Sequence, residues 1–246
     1  MQNKTVAALA TIVFGTLLHS QASNASTIVV SHDEWTLSNA GFTNSPGTAT
    51  FVANLVSEFG PTIHAYSTNF GLTGSALSAA MTDAGATYTV GTGITFDLPT
   101  LSAYDAIFLG GAYLNTDQLD ALASYVAAGG NVYLAGGTGA GGAAAEAAAW
   151  NPFLAAYGLT FASTYNGVSG NVPVSGDPLF AGVDSLFQDN GNTISGAAVV
   201  CCESRAGLFA VVRSDDTQPP PSQVPEPGTA FLLGLGLLGL ALRRRA

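Results

Sequence analysis

Three places in the 246-residue chain gather side chains able to do chemistry. The densest is His32-Asp33-Glu34, followed by Trp35. One imidazole and two carboxylates can hold a divalent cation, or exchange protons as acid and base. Consecutive side chains seldom converge on one point, however, and a solvated loop accounts for them equally well. The second place is Thr138, inside the glycine-rich run Gly136 to Gly142. A threonine hydroxyl attacks carbonyls only beside a base, and no histidine follows His64. That run also spells G-x-G-x-x-G at Gly137, Gly139 and Gly142, a spacing that can cradle phosphate on backbone N–H groups. It follows a late strand, and no acid lies about 20 positions on, so a tight turn is expected and no cofactor. Third is the adjacent pair Cys201-Cys202. In an oxidising compartment it can form a vicinal disulfide, pair between chains, or stay reduced and buried. No Cys/His spacing supports a metal site.

The elements that must position these groups alternate between strand and helix. Thr27 to Ser31 is an apolar, β-branched run suited to a buried parallel strand, and the His32 cluster sits at its end. Phe51, Val52, Leu55, Val56 and Phe59 share one helical face, stopped by Gly60-Pro61. Ile63 to Ser67 is a strand that includes His64, and a helix over about Thr73 to Ala84 leads to a strand at Thr87 to Val90. Ala106 to Leu109 is a strand ending in Gly110-Gly111, with a helix behind it that Asn115 caps and Gln118 completes. Asn131 to Ala135 runs into the glycine loop, and an Ala-rich helix follows to Trp150. Asn151-Pro152 reads as the start of a separate short helix. Alternation at this spacing implies βαβ units and a parallel sheet. Beyond Thr164 the rhythm breaks, with closing strands at Val199 to Cys202 and Leu208 to Val212. Trp35 and Tyr113 lie past strand ends, where they either offer a sugar-stacking surface or pack the rim.

Both ends carry separate signals. Lys4, the 13 uncharged residues Val6 to Leu18 and the small residues after them read as a signal peptide over 1–25, cleaved after Ala25 or Ala22. At the other end Val224-Pro225-Glu226-Pro227-Gly228 precedes an apolar run, Thr229 to Leu242, closed by Arg243-Arg244-Arg245. From Gly228 the segment is 15 residues, about 22 Å as a helix, and short beside roughly 30 Å of hydrocarbon. The arginines are expected to stay on the cytoplasmic side and leave the body outside. In order, these parts resemble a PEP-CTERM sorting signal. That resemblance implies recognition of Pro225, Glu226 and Pro227 by a membrane exosortase, orientation by Arg243, Arg244 and Arg245, and transient anchoring through a 229–242 transmembrane helix. The expected organisation is therefore a signal peptide (1–25), one α/β domain (26–214), a Pro-rich linker (215–223) and a sorting segment (224–246).

Removing Lys4, the three terminal arginines and Glu226 leaves 15 acids against Arg205 and Arg213, about −13. Such a surface repels nucleic acid and anionic lipid, so no nucleic-acid partner is expected. It suits a polysaccharide matrix or a calcium-containing medium.

The stretch Tyr104 to Gly142 (YDAIFLGGAYL, a helix, then AAGGNVYLAGGTG) resembles class I glutamine amidotransferase-like, flavodoxin-like domains. DPLFAGV (177–183) is similar to a turn of ThuA-like domains. The resemblance implies a flavodoxin-like parallel sheet flanked by helices over about 27–213. It also implies a cysteine nucleophile where Thr138 stands and a later histidine that this chain lacks, so the amidotransferase machinery is expected to be absent. The expectation is an exported, non-catalytic surface or matrix protein. The alternatives are a secreted hydrolase for a glycan or amide, using His32, Asp33 or Glu34 near Thr138, and a calcium-stabilised matrix protein.

Overall fold

A computed structural model describes residues 25–202 and 207–214. The sorting segment, the Pro-rich linker and all of the expected signal peptide except Ala25 lie outside the described residues. Among the described residues no helix is long and apolar enough to cross a membrane.

Five strands form the parallel part of the main sheet: β1 (Thr27–Ser31), β2 (Thr62–Tyr66), β3 (Thr87–Val90), β4 (Ala106–Leu109) and β5 (Asn131–Ala135). Every residue of β1, β4 and β5 is buried, as a sheet covered on both faces requires. The helices are α1 (Asn39–Asn44), α2 (Gly47–Phe59), α3 (Phe70–Thr73), α4 (Ser75–Asp83), α5 (Leu98–Leu101), α6 (Thr116–Ala127) and α7 (Ala143–Leu154). Chain alternation divides the core in two. Val29, Ile63, Phe108 and Tyr133 face α2 and α4, while Ile28, Val30, Ile107, Leu109, Val132 and Leu134 face α6 and α7. Trp150 of α7 is 1% exposed and anchors the second layer.

The remaining strands are β6 (Leu159–Tyr165), β7 (Ser169–Pro173), β8 (Ser185–Asp189), β9 (Asn192–Gly196), β10 (Val199–Cys201) and β11 (Phe209–Arg213). Strand order in the main sheet is β10-β11-β1-β5-β4-β2-β3, with β10 and β11 antiparallel additions, as expected of closing strands. β6 pairs with β9, and β7 with β8, in two small antiparallel sheets.

The fold class stands as α/β with a largely parallel sheet, but the order corrects the flavodoxin-like expectation. A flavodoxin-like sheet runs 2-1-3-4-5. Here the parallel strands run 3-2-4-5-1, because the β1-α2-β2 crossover leaves room for two later strands beside β1. The chain walks out to β3 over the α2/α4 face and returns over the other, which keeps every crossover of one hand.

Two helix expectations also change. Gly74 divides the second helical segment into α3 and α4. Asn151-Pro152 starts no helix, since α7 runs through Pro152 to Leu154. Proline is tolerated there because it falls in the last turn, and the Ala148 carbonyl it leaves unpaired belongs to an exposed residue. Asn151 instead binds the β6 backbone, accepting from Phe161 N at 2.7 Å and donating to Phe161 O at 3.1 Å. The Asn115/Gln118 capping box of α6 forms as expected.

Candidate functional site

β1 and β5 are neighbours, yet the helix after β1 lies on one face and the helix after β5 on the other. Adjacent strands that part in this way open a crevice beyond their C-terminal ends, where α/β sheets bind ligands. His32, Asp33 and Glu34 leave β1 there, and Gly136 to Thr138 leave β5.

The His32 cluster is not a solvated loop. His32 and Asp33 are 0% exposed and Glu34 is 5% exposed. His32 Nδ1 lies 3.1 Å from Asn166 Nδ2, and that donor leaves the ring proton on Nε2, 3.3 Å from Asp33 Oδ2. Burial holds the imidazole below its ordinary pKa, and raises that of Asp33 despite the histidine beside it. Asp33 Oδ1 accepts from Trp35 N at 3.1 Å, Thr36 N at 3.3 Å and the Thr36 hydroxyl at 3.2 Å, and Oδ2 accepts from Asp189 N. Gln188, fully buried, packs its side-chain amide against the Asp33 carboxyl and the Thr36 hydroxyl. Asn192 N donates to His32 O at 2.8 Å. A Cβ on Gly191 would fall 1.8 Å from that same oxygen, so only glycine lets the late loop close. This dyad pins β1 to the segments around Asn166, Gln188 and Asn192. It has no open face for a substrate.

Glu34 differs. Its backbone and Cβ pack under α3, where a Cβ on Gly71 would meet Glu34 O at 2.6 Å and Glu34 Cβ at 2.7 Å. Its Oε2 is buried without a hydrogen-bond partner. Burial raises its pKa to about 7, against a hydrogen bond from Asn69, and the nearby charges of Asp33 and Glu146 raise it further.

Sequence reasoning placed no base near Thr138, and the structure corrects that. Glu146, in the first turn of α7 and 0% exposed, receives the Thr138 hydroxyl, Thr138 N at 2.6 Å and Gly137 N at 3.1 Å. Gly137 N also donates to Asn192 Oδ1 at 3.0 Å, and Asn192 Nδ2 donates to Ala143 O at 3.0 Å and Ala162 O at 2.9 Å. The turn depends on glycine, since Gly137 has φ +62 and a Cβ there would meet Asp33 Cα at 2.9 Å. The N–H groups at the first glycine of the G-x-G-x-x-G run thus point at a carboxylate of the protein itself. Glu146 had one available signal, as the lone charge in an alanine run, whereas nothing in the sequence singles out Gln188 or Asn192.

The remaining expected site residues lie elsewhere. His64 is held by Thr89 Oγ1 at 2.7 Å and Gly91 O at 2.9 Å, a satisfied strand residue. Tyr113, 39% exposed, donates to Ala140 O at the rim of the Thr138 loop. Cys201 and Cys202 are bonded to each other and buried at the edge of the main sheet. Among the described residues no three His, Cys, Asp or Glu side chains are grouped to hold a metal ion.

Comparison with known proteins speaks to the other end of the chain. Residues 223–245 match the PEP-CTERM protein-sorting motif. The tail is a PEP-CTERM signal. Such a motif marks an exported protein that is anchored transiently and handed to exosortase, a membrane enzyme. The match covers the tail and not the α/β domain. No curated protein and no solved structure matches the chain.

Proposed function

We propose that this protein is exported through a signal peptide over 1–25, sorted by its PEP-CTERM tail to the cell surface or extracellular matrix, and processed there. Its α/β domain serves binding or structure and not catalysis. The observation that carries the non-catalytic reading is the Glu146 carboxylate at the Gly137–Thr138 turn. Hydrolytic sites of this kind need free N–H donors aimed at a developing oxyanion. Here those donors are already committed to an anion, and His32 and Asp33 are sealed beneath the later loops. On this reading the amidotransferase-like and ThuA-like resemblance extends to the alternation of strands and helices but not to strand order or chemistry.

The second reading, a secreted hydrolase for a glycan or amide, draws on two features. The Thr138 hydroxyl donates to a carboxylate base, and Glu34 is held near neutral pH with one free oxygen. Chromogenic esters, amides and glycosides assayed with wild type, Thr138→Ala and Glu34→Gln separate the two. The expected result is no turnover above the buffer blank by any of them. Wild-type turnover that falls a hundredfold or more in either variant, at unchanged melting temperature, would establish the hydrolase.

A further inference from the structure

Beside the crevice, Trp35 and Phe70 form an aromatic corner. Their ring centroids are 4.8 Å apart at 67° to one another, and Phe187 closes the far side of Trp35 at 6.5 Å. Phe70 is 46% exposed, on a helix end that Asn69 caps. The groove in front of this corner holds about 430 Å³ and is lined by Trp35, Ser38, Asn39, Phe70, Thr73 and Ser75, with Ala40 and Gly74 as its small residues.

Three properties of the lining select an occupant. First, none of its residues is charged. Second, the Ser38 hydroxyl is engaged by Trp35 O and Gly41 N, but three other polar groups, all on exposed residues, face outward. The Asn39 amide uses its oxygen on Ala76 N at 3.0 Å, whereas Asn39 Nδ2, the Thr73 hydroxyl and the Ser75 hydroxyl have no partner among the described residues. Third, the body around it is acidic, with Arg213 the sole Lys or Arg among the described residues, and Arg213 is already paired to Glu58 and Asp177. An apolar peptide would fit the aromatic corner but strand the amide and both hydroxyls, at about 1–3 kcal/mol for each buried unpaired group. An acidic polymer would meet a net-negative domain with no free cation to receive it. A neutral sugar satisfies both requirements, since its C–H face packs on an aromatic ring while its hydroxyls bond to uncharged amide and hydroxyl groups.

We infer that the Trp35/Phe70 groove binds an uncharged glycan. The inference names a ligand class for the binding role proposed above and rests on that reading. The site is separate from the Gly137–Thr138 turn, so its failure would leave both the turnover result and the tail processing as they stand.

The test is affinity electrophoresis of the full chain in gels containing dextran, hydroxyethylcellulose or amylose, with alginate as the acidic control. Trp35 emission is followed in parallel, the second tryptophan, Trp150, being buried. Retardation by a neutral polymer is expected, with a change in tryptophan emission. Phe70→Ala is expected to weaken binding about tenfold at unchanged melting temperature, the loss of one aromatic contact. No retardation by any neutral polymer, equal retardation of Phe70→Ala, or retardation by alginate alone would overturn the inference. So would sedimentation showing a dimer that Phe70→Ala converts to monomer, which would assign the groove to a second copy.

Discussion

The Thr138 hydroxyl donates to the carboxylate of Glu146, which also receives the backbone N–H groups of Gly137 and Thr138. One side chain from the first turn of α7 thereby fills the turn after β5. The N–H and hydroxyl donors of that turn are thus used within the protein.

Glu146→Ala should destabilise the domain by about 1–3 kcal/mol, because it leaves the Thr138 N–H and hydroxyl without their acceptor while Gly137 N keeps Asn192 Oδ1. Glu146→Gln, which keeps an oxygen, should cost less. If the turn is an anion site filled from within, formate or acetate should raise the melting temperature of Glu146→Ala more than that of wild type. Equal shifts in the two proteins would contradict this account.

Glu34 sets a pH dependence. Its folded pKa of about 7 lies above its ordinary 4.5, so the folded state holds this proton more tightly. The associated stability is complete below pH 4.5 and is lost as pH rises through 7. At 1.36 kcal/mol per pH unit the loss is about 3 kcal/mol by pH 8. Urea titrations of wild type and Glu34→Gln across pH 4–8 isolate this contribution, because the shifts of His32 and Asp33 are common to both. Glu34→Gln should gain relative to wild type as pH rises, and a constant difference would refute the assignment.

Arg213 joins two acids. Its Nε is 2.8 Å from Glu58 Oε1, and its Nη1 is 2.9 Å from Asp177 Oδ2. Burial pushes Asp177 up, but the hydrogen bonds from Arg213 and Leu179 N bring it below its ordinary 3.8. The stability this contributes is present above pH 3.8 and lost as pH falls through the lower folded value. Arg213→Met should therefore destabilise by about 1–3 kcal/mol at neutral pH, leaving two acids unpaired, and should flatten the acid limb of the stability curve. Thermal unfolding at pH 3 and pH 7 checks both.

Local chemistry was readable in the sequence. The run Thr27–Ser31 has the boundaries of β1, Asn115 and Gln118 form their capping box, and the closing strand expected at Leu208 to Val212 lies one residue on, at Phe209–Arg213 beside β1. Strand order was not readable, because alternation of strand and helix fixes parallel pairing without saying that β5 returns to lie beside β1. The His32 cluster misled for the same reason. Its burial comes from Asn166, Gln188 and Asn192, more than 130 residues away, and no local pattern announces such contacts. Pro152 misled differently, since its place in the last turn of α7 removes most of its usual penalty.

The most direct test of the central claim is the intact mass of the protein recovered from its native host under non-reducing conditions. The expected species lacks residues 1–25 and the apolar run 229–242, as export and exosortase processing require. A mass that retains Thr229 to Ala246 would contradict the sorting reading and make this a tail-anchored membrane protein.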